Sequence, residues 1–313
     1  MNSKLTAIGN DTVLPIVEVN GLCRSFGSQL ALDNIHLRIQ RGGIFGLVGV
    51  NGAGKTTLIK HILGLYKSKA GRVSVFGLDP ISNTENVLAR IGYMSEVTEL
   101  PDWMTVAELI RYTRAFYPQW DESYSRTLTQ QFELDTTKKI RNLSKGQRAR
   151  VALLLAVSHR PELLILDEPS SGLDPLVRRD ILRTVIQAVA DDGRTVLFSS
   201  HLLDEVERVA DTVALIDSGN IVIHGELDEL KRQYHQLSVS FETDVSQPPV
   251  IDGLVGWQGG GKHWAGMVRG ELDLITELLQ QHNGTVVHHS TPTLDQLFVA
   301  LVGDNHRTLE SAA

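Results

Sequence analysis

Apolar residues along the chain fall into short unbroken runs separated by stretches of helical spacing. Ile44–Val48, Leu163–Leu166 and Val213–Ile216 are such runs, Thr195–Ser199 encloses another at Val196–Phe198, and strands covered on both faces of a parallel sheet require that pattern. Between them, Gln147–Ser158 and Val177–Ala190 carry apolar residues at helix spacing. The alternation predicts an α/β fold with a mostly parallel sheet. Ahead of the first run, Ile16–Val19 and Leu37–Ile39 read as two short strands flanking a turn-rich stretch around Phe26-Gly27. Trp103–Leu134 has helical spacing broken at Pro118 and Trp120, which predicts a helical insertion within about residues 97–160.

Past Leu230 the pattern changes. A strand is expected at Leu237–Phe241, a break at Pro248-Pro249, a hairpin around Gly259–Gly261, a helix at Leu272–Gln281, a strand at Thr285–His288 and a last helix at Leu294–Val302. The expected organisation is a main domain over residues 1–230, a small α+β domain over 231–303 and a polar tail over 304–313. The absence of an internal repeat argues against a solenoid.

Composition narrows the class. A chain of 313 residues exceeds what one core organises, and 42% hydrophobic with 21% charged residues is ordinary for a globular protein. A net charge of -7 argues against nucleic-acid binding through overall positive charge. The longest wholly apolar run, Val151–Val157, is far short of the ~20 residues that cross a bilayer, and the first residues lack a signal-peptide core. Cys23 is alone, which leaves no internal disulfide and no cysteine cluster for a metal. A cytosolic location is the expectation.

The strongest chemical signal is Gly49-Val50-Asn51-Gly52-Ala53-Gly54-Lys55-Thr56, which fits GxxxxGK[ST] and lies between a buried strand and the helical stretch Thr57–Leu63. Its glycines let backbone amides wrap phosphates at a helix N-terminus, Lys55 meets the β- and γ-phosphates, and the Thr56 hydroxyl suits Mg²⁺. Asp167-Glu168 closes the run Leu163–Leu166 at the carboxyl edge where α/β sheets bind ligands. Asp167 would reach Mg²⁺ and Glu168 would polarise an attacking water; without the upstream loop, the pair would read as a solvated loop start.

Leu143-Ser144-Lys145-Gly146-Gln147 directly precedes a helix. Ser144 and Gly146 there offer an anion site, or simply an N-cap. With this segment in view, the ordered set of motifs resembles the ATP-binding-cassette (ABC) ATPases over about residues 16–230. Phe26 occupies the aromatic A-loop position, Leu143–Gln147 resembles the LSGGQ signature, Ser171-Gly172-Leu173-Asp174 resembles the D-loop and His201 the switch histidine. The resemblance implies a P-loop NTPase core with an antiparallel β subdomain, a helical insertion and a small C-terminal α+β domain.

It further implies ATP hydrolysis with Mg²⁺. Glu168, His201 and Lys55 would be catalytic, and Thr56, Asp167 and Glu96 would hold the metal. ATP would be bound by Phe26, Gly49, Asn51, Gly52, Ala53, Gly54, Lys55, Thr56 and Thr57 of one subunit. Ser144, Lys145, Gly146, Gln147 and Asp174 would complete the site of a second subunit, most simply a second copy. A separate transmembrane permease, an export role, no nucleic-acid partner and a peripheral position on the cytoplasmic face of the inner membrane also follow from it. The alternative is a non-transport ABC ATPase acting on ribosomes or DNA, which the single uninterrupted cassette without heptads disfavours. A nucleotide sensor that does not hydrolyse is disfavoured by Glu168 and His201.

Two positions depart from the family pattern. Glu96 stands where a glutamine is expected after Ile91-Gly92-Tyr93, and Lys145 replaces the first signature glycine. Glu96 either ligates the metal, adding negative charge near the γ-phosphate, or points to solvent or a partner. Lys145 either brings a cation to the opposing nucleotide or sits solvated at a helix start that disfavours it. Gly259-Gly260-Gly261-Lys262 lacks the strand and helix flanks of a phosphate loop and reads as a hairpin turn. His282, His288 and His289 lack ligand spacing. Trp103, Phe116, Tyr117 and Trp120 read as packing within the helical insertion, or in part as a docking surface.

Overall fold

The computed structural model of the chain describes residues 14–96 and 99–301, with the backbone alone over 188–192. The start of the expected insertion at 97–98, Val302 at the end of the last expected helix and the polar tail lie outside the described residues.

The chain opens with β1 (Val17–Phe26), β2 (Gln29–Ile39) and β3 (Gly43–Val48), followed by α1 (Lys55–Ile62) and β4 (Ala70–Val75). Next come α2 (Thr84–Leu88), β5 (Ile91–Met94), α3 (Val106–Arg114), α4 (Glu122–Gln131), α5 (Lys145–Val157) and β6 (Leu163–Asp167). The cassette continues through α6 (Pro175–Asp192), β7 (Thr195–Ser200), α7 (Leu203–Val209), β8 (Thr212–Asp217) and β9 (Asn220–Glu226). After it come α8 (Leu227–Gln233), β10 (Tyr234–Phe241), β11 (Leu254–Gly260), β12 (His263–Arg269), α9 (Leu272–Gln281) and β13 (Gly284–Ser290), then α10 over residues 294–301.

The central sheet has the order β5-β6-β7-β3-β8-β9 and is parallel except for β9, which pairs antiparallel with β8. Its strands read as unbroken apolar runs because successive side chains enter two different cores. Ile44 and Val48 of β3, with Leu164 and Leu166 of β6, join the core shared with α3, α4, α5 and α6. Phe45 and Leu47, with Leu163 and Ile165, join the core shared with α1 and the antiparallel sheet. β9 escaped the sequence reading because it is an edge strand, exposed or half-buried along its length.

A second sheet, β2-β1-β4, is antiparallel. Its first two strands run much longer than the short segments expected at Ile16–Val19 and Leu37–Ile39. The cause is a set of register shifts between Val19 and Ser25, with Gly21 at φ +62°. Each bulge moves following side chains to the other face, which destroys the alternation by which strands are recognised.

The helical insertion begins with a capping box, in which Thr105 and Glu108 each serve the other's backbone amide. Asp121 caps α4. Leu109, Leu128, Phe132 and Leu153 are buried together. Trp120 packs against that core and Tyr117 stacks on His159 at 3.9 Å, whereas Trp103 and Phe116 are 65% and 63% exposed. Burial therefore accounts for only two of the four aromatics; Phe116 stands edge-on to Tyr112 at 5.2 Å at the surface.

In the C-terminal part, a β11-β12-β10-β13 sheet buries Leu237, Val239, Phe241 and Val268 under Ile275 and Leu279 of α9. Tyr234 and Met267 meet Leu297 of α10 on the opposite face. Glu207 of α7 ties this part to the cassette, accepting from Lys231 Nζ at 2.5 Å and from Leu294 N at 3.0 Å. No helix among the described residues is long and apolar enough to cross a membrane.

Candidate functional site

β3 delivers the chain into the glycine-rich loop, and α1 carries it away. A Cβ at Gly49 would lie 2.2 Å from the Ile216 carbonyl, and Gly54, at φ +114°, leaves 2.7 Å between its Cβ position and the Ala31 carbonyl. Only glycine lets the loop close so tightly and aim its amides along the helix axis. Lys55 starts α1, yet its side chain folds back across the loop and is only 5% exposed. Its ammonium donates to Gly49 O at 2.6 Å and Val50 O at 3.2 Å, and lies 3.0 Å from Glu168 Oε1.

β6 ends one strand away from β7 with Asp167, and Glu168 follows at φ +50°, a left-handed conformation that non-glycine residues adopt only where the surroundings impose it. Ser199 of β7, fully buried, imposes it. Its backbone carbonyl and its Oγ each accept from Glu168 N at 3.1 Å, and its hydroxyl donates to Asp167 Oδ1 at 2.7 Å. The Glu168 carboxylate is 4% exposed, and its Oε2 accepts from His201 Nδ1 at 2.6 Å. The Lys55 ammonium pairs with Oε1 from outside hydrogen-bond geometry, so this oxygen keeps its accepting capacity.

Burial holds the Asp167 carboxyl above its ordinary range, against the hydroxyls of Ser199 and Thr56 that favour its charged form; the Glu168 charge adds to the rise and Lys55 opposes it. Tyr93 of β5 is pushed up to about 12 by burial and then by the Asp167 charge, so its phenol stays protonated. Thr56 and Asp167 therefore form a set of hard oxygen donors whose negative charge the protein alone does not balance, which fits Mg²⁺.

A cleft of about 420 Å³ runs from Phe26 past Gln29, Asn51 and Thr56 to Glu96 and Glu168. Phe26, Gly52, Gly54 and Thr57 line it as well, while Ala53 is turned inward and 3% exposed. The Phe26 ring is 42% exposed and stands edge-on to Tyr66 at 5.7 Å, with the Arg24 guanidinium 4.7 Å from its centre. Glu96 thus shares one cleft with Lys55 and Thr56.

The Leu143–Gln147 group lies elsewhere. Ser144 Oγ accepts from Gln147 N, and Gln147 Oε1 from Ser144 N, closing a capping box on α5. Gly146 sits so close to α6 that a Cβ would stand 2.7 Å from Val177 Cγ2. Asp174 accepts from Leu176 N at 3.0 Å and Val177 N at 3.1 Å, which makes it the N-cap of α6 within its own chain. Lys145 stays exposed at the helix start, and its Nζ donates to Ser171 O at 2.8 Å. A second cleft of about 490 Å³ lies here, between Glu96, Lys145, Arg148 and Leu173. Within one chain, then, the phosphate loop and the Ser144 segment belong to separate clefts that share Glu96.

Sequence reasoning missed three contributors. Tyr66 braces Phe26 from beyond the end of α1. Ser199 was noticed only as a neighbour of His201. Glu205 of α7 is buried, and the Ser170 hydroxyl donates to its Oε2; an acid in the first turn of a helix reads as surface charge unless its burial is known. Of the remaining motifs, Lys262 of the glycine-rich hairpin donates to Glu242 O. His282, His288 and His289 are exposed, and no cluster of three or more His, Cys, Asp or Glu placed to hold a metal occurs among the described residues.

A phosphate loop between a central parallel strand and a helix, facing two carboxylates at the end of the neighbouring but one strand, defines a P-loop nucleoside triphosphatase. The ABC transporter family profile matches residues 32–171. The chain is 30% identical to the daunorubicin resistance ATP-binding protein DrrA3 of Streptomyces coeruleorubidus, over 95% of this chain and 98% of that protein. It is 28% identical to the ABC transporter ATP-binding protein YtrB of Bacillus subtilis, over 93% of this chain and all of that one. A solved ATP-binding subunit of an ABC transporter superposes with a TM-score of 0.65 at 31% identity, covering 70% of this chain and 92% of its own. The chain belongs to the ABC transporter ATP-binding family and is an ATP hydrolase of the ABC type.

Proposed function

We propose that this chain is the ATP-driven motor of an exporter whose membrane-spanning permease is a separate polypeptide. The observation that carries the catalytic part is the buried Glu168 carboxylate, held between Lys55 and His201. Oε1, which keeps its accepting capacity, takes a proton from the water that attacks the γ-phosphorus, while the bond to the β-phosphate oxygen breaks and ADP leaves. His201 commits Nδ1 to Glu168, leaving its other nitrogen to face the γ-phosphate. Lys55 exchanges its carbonyl partners for the β- and γ-phosphate oxygens. Phe26 offers its ring to the adenine, and the amides of the glycine-rich loop bind the phosphates. Thr56 and Asp167, with Glu96 beside them, would hold Mg²⁺, which would supply charge neutralisation at the phosphates when bound.

The separation of the two clefts within one chain supports closure by a second copy. Ser144 and Gly146 at the start of α5 would meet the γ-phosphate bound to the partner's loop, so that two ATP lie between two cassettes. An apolar groove of about 390 Å³ between Leu63, Tyr93, Leu100 and Leu155, beside Glu99, is where a cytoplasmic loop of the permease fits. The exposed Trp103 and Phe116 of the insertion extend the apolar surface available to it. Export is supported by similarity, through the C-terminal part, to a relative named for drug resistance. The cassette then sits peripherally on the cytoplasmic face of the membrane. The net charge of -7 speaks against the ribosome or DNA as its partner.

The test is Glu168→Gln in the chain co-purified with its membrane partner. Phosphate release should fall about 10²–10⁴-fold, as loss of a general base requires, with ATP retained in a stable dimer. Turnover at the parental rate would remove Glu168 as the base.

A further inference from the structure

Lys145 is the first residue of α5 after the Ser144 cap, and no acid stands in that first turn. A cation is disfavoured at the positive end of a helix. The ammonium leaves it by reaching the Ser171 carbonyl at 2.8 Å. The fit is tight, because a Cβ at Gly172 would stand 2.6 Å from Lys145 Nζ, and Gly172 holds φ +63°. Ser171 in turn donates its N–H to Glu168 O at 3.2 Å. One side chain therefore connects the start of α5 to the turn that carries Glu168. The base of this connection is firm, since Arg150 of α5 pairs with Asp180 of α6 at 2.6 Å.

We propose that Lys145 is a positioning residue that ties the Glu168 turn to the Ser144 segment of the same chain. The helix that faces the partner's ATP thereby sets the placement of the carboxylate over the chain's own ATP. A glycine, the residue the family signature carries here, has no side chain to make this link. The contact is exposed in a single chain, where water weakens charge-assisted bonds. Closure of two cassettes over it removes that water and strengthens it. Its effect accordingly falls on turnover in the closed dimer rather than on ATP capture by the open chain. The proposal rests on the hydrolytic reading above.

The experiment compares Lys145→Met, which keeps the aliphatic stem, Lys145→Gly and Lys145→Arg, which keeps a cationic donor. Phosphate release against ATP concentration and amide hydrogen exchange across residues 170–174 are measured on the full chain. The expected result is a kcat loss of roughly fivefold or more for Met and Gly, with KM for ATP changed less than about twofold. Exchange at 170–174 should be faster in both, and Arg should recover most of the rate. Unchanged exchange in Lys145→Met overturns the tether. Faster exchange with parental kcat, or failure of Arg to recover the rate, overturns the positioning role. A parental chain that releases no phosphate refutes the hydrolytic reading instead, and the exchange measurement still decides the tether.

Discussion

Ser199→Ala removes one oxygen from the interior of β7 and disturbs both carboxylates at once. In the folded chain that oxygen donates to Asp167 Oδ1 at 2.7 Å and shares the Glu168 amide with the Ser199 carbonyl. Both positions are fully enclosed, so no water replaces the lost donor. A hydrogen bond to a charged, buried group contributes about 1.5–3 kcal/mol, while the amide keeps its backbone partner and adds little. A destabilisation of about 2 kcal/mol corresponds to a drop in Tm on the order of 5 °C.

The pH dependence of this loss has a definite sign. Asp167 titrates above its unfolded value because burial dominates, and the Ser199 hydroxyl is the largest of the influences that restrain the rise. Removing it raises the folded pKa further. A group with a raised folded pKa stabilises the fold below its unfolded pKa and loses that contribution as pH climbs through the folded one. The difference in Tm between Ser199→Ala and the parent should therefore be full at pH 8 and shrink as Asp167 becomes protonated in acid. Differential scanning calorimetry across that range checks it. A pH-independent difference, or none at pH 8, would refute the assignment of the Ser199 hydroxyl to Asp167.

Gly49→Ala drives a Cβ to 2.2 Å from the Ile216 carbonyl; it should lower stability by about 1–3 kcal/mol and abolish ATP retention, both readable by thermal shift with and without nucleotide. Phe26→Ala removes the exposed ring of the cleft, and since stacking on a base contributes about 1–3 kcal/mol, KM for ATP should rise at least about fivefold in a titration of phosphate release. Trp103→Ser combined with Phe116→Ser alters two side chains that are largely in solvent, so Tm should hold within about 2 °C while co-purification of the membrane partner falls. Parental recovery of that partner would remove these rings from the docking surface.

The β3 to α1 phosphate loop and the strands at Leu163–Leu166, Thr195–Ser199 and Val213–Ile216 were legible in the sequence because their causes are local. A strand covered on both faces needs an unbroken apolar run, and a backbone that turns sharply around phosphate needs glycines at set intervals, with a lysine and a hydroxyl after them. The resemblance to the ABC family added the Ser144 segment, Asp174 and His201, whose residue types mean little singly. Local pattern failed where neighbours decide. Bulges in β1 broke the alternation, β9 was hidden as a half-exposed edge, and Trp103 and Phe116 carried core-like composition to the surface.

Tertiary structure alone decided which groups meet. Glu168 and His201 are far enough apart in the chain that nothing local predicts their contact at 2.6 Å; it exists because β6 and β7 are neighbours in register, Asp167 beside Ser199. The same adjacency buries Ser199 under both carboxylates, and the packing of α5 on α6 brings Lys145 to Ser171. Chemistry that depends on residue type and short spacing is written along the chain. Chemistry that depends on burial, and on which strands lie side by side, arises only when the sheet assembles.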